Sequence, residues 1–117
     1  MPPPYPPRLA AALTRLAATG IRPSNYAPPL YRLLWGLGLI IPPPHFAGFG
    51  VNFLFSALLF GPFWGIAMWF LVWSPQGWSA VQALATATLA GVLFGLAMAA
   101  YTRHVARRHK LPPWTEL

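Results

Sequence analysis

At 117 residues the chain has room for one small domain, and 56% of it is hydrophobic while only 8% is charged. Soluble domains carry about 25% charged residues, so the composition speaks against a globule that solvates itself. Eight Lys and Arg residues against a single acid, Glu116, give a net charge of +7, and the lack of cysteine excludes disulfides, thiolate metal sites, a cysteine nucleophile and a lipoprotein anchor.

The chain opens on a proline-rich leader, "MPPPYPP", expected to be extended. No apolar stretch precedes its first arginines, so no cleavable signal is expected and the first span should stay in the mature protein. Residues 8–19, "RLAAALTRLAAT", read as a short amphipathic helix: Leu9, Leu13 and Leu16 share one face, Arg8, Arg15 and Thr19 another, and Gly20 is the stop. Such a helix suits a membrane interface or the surface of its own protein. "IRPSNYAPP" reads as a loop, because its prolines and Ser-Asn oppose helix. Residues 30–41, "LYRLLWGLGLII", are apolar. A helix there reaches only about 18 Å, too short to cross a membrane. It is expected to be a second, interfacial helix, with Arg32 toward headgroups and Trp35 at the boundary.

No Asp, Glu, Lys or Arg lies between Arg32 and Arg103. Two spans are predicted there, residues 46–73 and 79–102, joined by the turn "SPQGW" with Pro75 and Gly77 as breakers. Trp69, Trp73 and Trp78 gather near the turn as an aromatic belt does. The fold class is therefore all-α, a two-span transmembrane hairpin. It divides into residues 1–45 (leader and interfacial helices), 46–102 (hairpin) and 103–117 (basic tail). All eight cations flank the hairpin and none lies in the turn. The positive-inside rule then puts both termini in the cytoplasm, with anionic lipid headgroups as partners of the flanks.

Span one carries "GPFWG" and span two "GVLFG". In lipid, small residues drive helix pairing by letting backbones approach. Ala57, Gly61 and Gly65 recur at four-residue spacing, as do Ala83, Ala87, Gly91, Gly95 and Ala99. Folded about Gln76, Gly61 faces Gly91, Ala57 faces Gly95, Gly65 faces Ala87 and Trp69 faces Ala83. This predicts a packing seam within one chain; a homodimer using one stripe is the rival. Pro62 removes a backbone donor and should bend span one. Asn52, the clearest polar residue in a span, is expected to hydrogen-bond Tyr101 or Thr102.

Catalytic chemistry is mostly missing. Glu116 stands alone, so paired carboxylates are out. The glycines lack phosphate-binding contexts, and Ser56 has no nearby base. The basic tail "RHVARRHK" lacks stacking aromatics, which argues against nucleic acid. His45 and His104 fall at similar depth and could form a paired-histidine haem or metal site; interfacial histidines facing lipid are the plainer reading. No activity, metal or cofactor is expected. Tyr26, Tyr31 and Trp35 are the predicted anchors of an interaction surface, docking on the span ends or on a partner.

"SNYAPPLYRLLWGLGLIIPPPHF", followed by "NFLF", "FWG" and the closing "LPPWTEL", resembles a bacterial family of small membrane proteins with no assigned function. The resemblance covers nearly all of the chain after the leader, which departs from it. It implies a two-span inner-membrane protein and carries no catalytic residue. The function expected is that of a non-catalytic inner-membrane protein packing with itself or with a larger membrane partner. A holin-like pore former and a small haem- or metal-binding subunit are the alternatives.

Overall fold

A computed structural model describes residues 5–117; the first four leader residues lie outside the described part. The described chain is helical, with no strand. It divides into two compact units. Unit one combines Met1–Gly48 with Thr102–Leu117, and unit two is Phe49–Tyr101. The basic tail thus belongs with the N-terminal segment rather than standing apart.

Unit one begins with α1 (Pro7–Ala17), α2 (Pro23–Tyr26) and α3 (Pro29–Gly36), followed by a 3-10 turn at Pro44–Phe46. Each of these opens on a proline. Proline at the first helical position lacks only an N–H that would have had no partner, and its fixed φ suits the helix. The preceding residues, Pro6, Arg22, Pro28 and Pro43, hold ψ at 149°, 134°, 152° and 154°, as the proline ring requires. This corrects the loop expected at residues 21–29, where proline starts a turn of helix.

The amphipathic pattern of α1 is used inside the protein. Leu9, Ala12 and Leu16 are fully buried. Of the two settings open to this helix, its apolar stripe therefore takes packing within its own unit, leaving that stripe unavailable to lipid. Thr14 Oγ1 donates back to Ala10 O at 2.9 Å, and Thr19 Oγ1 to Leu16 O at 2.6 Å, before Gly20 turns the chain at φ 82°. The C-terminal segment closes on the same helix. The Arg8 guanidinium sits 5.9 Å from the Trp114 ring centre, and Arg8 Nε donates to Leu117 O at 3.4 Å. Trp114 also lies 6.4 Å from Phe46, centre to centre.

Unit two is a hairpin. Its first arm is α4 (Phe49–Met68), a helix that contains Pro62 and continues into a π-helical turn, Trp69–Trp73. Ser74 N donates to Trp69 O at 2.8 Å, the five-residue spacing of that turn. The arm starts at Phe49, three residues later than expected, because Pro44–Phe46 is a 3-10 turn and Ala47 is extended (ψ 155°). The second arm belongs to α5 (Ala80–Arg108). Its start is a capping box: Gln82 N donates to Ser79 Oγ at 3.1 Å, and Ser79 N to Gln82 Oε1 at 3.1 Å. The helix continues six residues past the expected Thr102, since "RHVARR" contains no breaker and cations suit a helix C-terminus.

Candidate functional site

The two arms of the hairpin meet along their small residues. A Cβ added to Gly61 would lie 3.5 Å from Gly91 Cα, and one added to Gly91 would lie 3.2 Å from Gly61 Cα and 3.3 Å from Ala57 O. At Gly65 it would sit 2.9 Å from Ala87 Cβ. At Gly95 it would sit 2.8 Å from Phe53 O and 3.0 Å from Ala57 Cβ. The structure thus brings together Gly61 with Gly91, Ala57 with Gly95 and Gly65 with Ala87. Closeness of this kind is possible only where the facing residues are glycine or alanine, and it increases dispersion contact between the backbones. Gly61, Ala83, Gly91, Gly95 and Ala99 are buried.

Beside the seam, the half of the hairpin nearer the turn opens into an apolar groove of about 640 Å³. Leu58, Pro62, Ile66, Leu84, Thr88 and Val92 form part of its wall. A run of ring contacts leads from mid-hairpin to the turn, all stacked except the edge-on pair Trp64–Trp73. Phe94 and Phe60 lie 4.4 Å apart, Phe60 and Trp64 5.6 Å, Trp64 and Trp73 5.3 Å, and Trp73 and Trp78 4.9 Å. Trp73 is nearly sealed at 4% exposure. The π-helical turn that carries Trp73 leaves no mark in hydropathy, so sequence reasoning had no signal for this ring run beyond the abundance of Trp. Asn52 is buried and has a partner.

In unit one the predicted anchors turn inward. Tyr26, Tyr31 and Trp35 are buried, and Trp35 Nε1 donates to Ile41 O at 2.8 Å. The Tyr5 and Tyr31 rings meet Trp35 edge-on at 5.8 Å and 6.1 Å. Burial pushes the Tyr31 phenol above its usual range. These residues are buried within the unit, so they offer little free contact area to another protein.

His45 is buried, and its Nδ1 has no hydrogen-bond partner. Burial, and then the nearby charge of His109, hold its imidazole below the usual histidine range. A neutral ring there can accept or donate a proton, and His109 is the titratable group that acts on it. His104 is exposed, and no group of three or more metal-ligating side chains occurs among the described residues.

Fold and geometry define a class: an all-helical protein with two helices, Phe49–Trp73 and Ala80–Arg108, long and apolar enough to cross a membrane. More particularly, the chain belongs to the family of unknown function DUF6404, whose model matches residues 3–117. That match takes in the leader from its third residue, so the leader does not depart from the family. No curated protein and no solved structure matches the chain.

Proposed function

We propose that the protein is a non-catalytic integral protein of a bacterial inner membrane. Its hairpin crosses the bilayer with both termini cytoplasmic and packs with itself or a larger membrane partner. One observation carries the membrane reading. The helix core of a soluble protein is mostly buried, whereas here only 6% of the most apolar window of the first long helix and 22% of that of the second is buried. Leu58, Phe63, Phe70 and Leu71 stand 64–77% exposed. Water would penalise that surface at about 25 cal/mol per Å², and lipid removes the penalty. At about 1.5 Å per residue the 25 and 29 residues exceed the roughly 30 Å hydrocarbon core.

Orientation rests on the cations, all of which flank the hairpin. Reporter fusions after Leu117 and within residues 74–78 test it. A cytoplasmic readout at Leu117 with an external readout in the turn is expected; an external C-terminus would sink the assignment. Release of the protein from membranes by alkaline carbonate would sink the membrane reading itself. Co-purification in mild detergent separates a self-assembled form from a complex with a partner.

A further inference from the structure

Among the described residues of unit one, the large apolar side chains left exposed are Leu33, Leu37 and Leu39, at 59%, 69% and 57%. All three sit on one firmly held feature. Tyr31 and Trp35 root α3 in the unit. The end of α3 is closed by a Schellman motif: Gly38 N donates to Trp35 O at 3.1 Å and Leu39 N to Leu34 O at 2.9 Å, with Gly38 at φ 91°. The Trp35–Ile41 hydrogen bond ties down the far side of the turn. Leu33 and Leu37, four residues apart, share a helix side. Arg32 is exposed next to them.

The charge of the unit that carries this prong is almost all of one sign. All eight Lys and Arg residues belong to unit one, each is exposed, and Glu116 is the chain's sole acid. An apolar prong flanked by cations complements an anionic bilayer surface, where leucines enter the acyl boundary and guanidinium groups meet phosphate. A protein partner would account for the leucines but not for eight exposed cations opposed by one acid, Glu116.

We propose that Leu33, Leu37 and Leu39 form a membrane-surface anchor that inserts into the headgroup–acyl boundary of an anionic bilayer, with Arg32 on the phosphates. It rests on the membrane reading above and adds a third contact, separate from the spans. The test uses the full chain, whose lack of cysteine allows single labels. Leu33→Cys, Leu37→Cys and Leu39→Cys carry a fluorophore, as do Thr14→Cys (exposed on α1) and Leu58→Cys (in the hairpin). Each is reconstituted into vesicles of anionic and zwitterionic phospholipid containing nitroxide-bearing lipid.

Labels at 33, 37 and 39 are expected to be quenched at least twofold more than the label at 14 by a nitroxide high on the acyl chain, and to be shielded from aqueous iodide. Quenching at 58 by a deep nitroxide reports on the spans alone. If 58 is quenched while 33, 37 and 39 are open to iodide, the anchor is overturned and the membrane reading stands. If 58 is not quenched, the membrane reading itself fails. Shielding of 33, 37 and 39 from both quenchers means that protein covers them, and it overturns the anchor. Arg32→Gln should weaken quenching at 37 in anionic vesicles more than in zwitterionic ones; equal weakening overturns the role of Arg32.

Discussion

The helix α1 of unit one and the hairpin of unit two handle leucine in opposite ways. In unit one Leu9 and Leu16 are completely sealed, whereas in unit two Leu58 and Leu71 stand 64% and 77% exposed. Both units are helical, and both place leucine at helical spacing. On the membrane reading proposed above, the difference lies in what supplies the apolar surroundings. Unit one buries Leu9 and Leu16 in protein, as a water-soluble fold does, and leaves only the Leu33, Leu37 and Leu39 prong exposed among its described large apolar side chains. Unit two leaves them outside and packs inward through glycine and alanine, as helices do in a medium that is itself apolar. One chain therefore holds two cores built by different rules, and substitutions should separate them.

The largest effect is expected in the sealed core of unit one. Leu9→Ala or Leu16→Ala should lose about 2–5 kcal/mol, through lost transfer energy and the cavity left behind. Leu58→Ala and Leu71→Ala, on the outside of the hairpin, should stay within about 0.5 kcal/mol. Thermal unfolding in detergent measures both. Equal losses in the two units would erase the contrast.

Next comes the seam. Gly95→Leu drives a side chain into Phe53 O and Ala57, and Gly91→Leu into the backbone of Gly61. Each should cost about 1–3 kcal/mol as overpacking does. Gly36 meets nothing within 4 Å of an added Cβ. Gly36→Ala should therefore be neutral or gain up to about 1 kcal/mol. Cysteines at Ala57 and Gly95 should cross-link within one chain on oxidation, while a pair at Leu58 and Leu96 should not. Cross-links found only between chains would move the seam to a dimer.

How much of this was legible in the sequence depends on whether the deciding contact is local. The depth register of Gly61 with Gly91 follows from a short turn between two helices, so arithmetic about Gln76 reaches it. The fate of α1 does not. Its 3.6-residue pattern states which face is apolar and is silent on what covers that face. The C-terminal segment closing on Arg8 comes from 109 residues away. The inward turn of Tyr31 and Trp35 is hidden for the same reason. The proline-led helices are a different kind of miss: proline was weighed as a breaker, when at a first helical position it is a starter. The π-helical turn has no sequence signature at all.

His45 offers a pH-dependent way to sharpen the contrast, because it lies in unit one. Its imidazole is held below the usual range of about 6.5, so the unfolded chain takes up a proton at higher pH than the folded chain does. Stability from this residue is fully present above about pH 6.5 and is lost as pH falls from there toward the folded value. The unfolding midpoint of unit one should drop between pH 7.5 and 5.5, and His45→Phe should flatten that drop. An unchanged pH profile in the variant would mean that other groups carry it.

The smallest effect concerns how helices end. Gly20, Gly38 and Gly77 all have positive φ, of 82°, 91° and 80°. Among the described residues the fourth such position, after α5, is Lys110 at φ 54°. It occupies the place glycine takes in a Schellman motif: Lys110 N donates to Arg107 O at 3.1 Å and Leu111 N to Ala106 O at 3.2 Å. A left-handed conformation costs a residue with a side chain roughly 1–2 kcal/mol. Glycine removes that strain but adds about 0.5–1 kcal/mol of chain entropy to be lost on folding. Lys110→Gly should therefore gain a net of about 0.5–1 kcal/mol. The lysine is exposed, so no packing is lost with it. Removing its charge from a basic tail also relieves repulsion among Arg107, Arg108 and Lys110. Lys110→Gln keeps the strain and takes away the charge, so it separates the two contributions. A gain in the glycine variant that the glutamine variant matches would assign the effect to charge and leave the backbone at Lys110 unstrained.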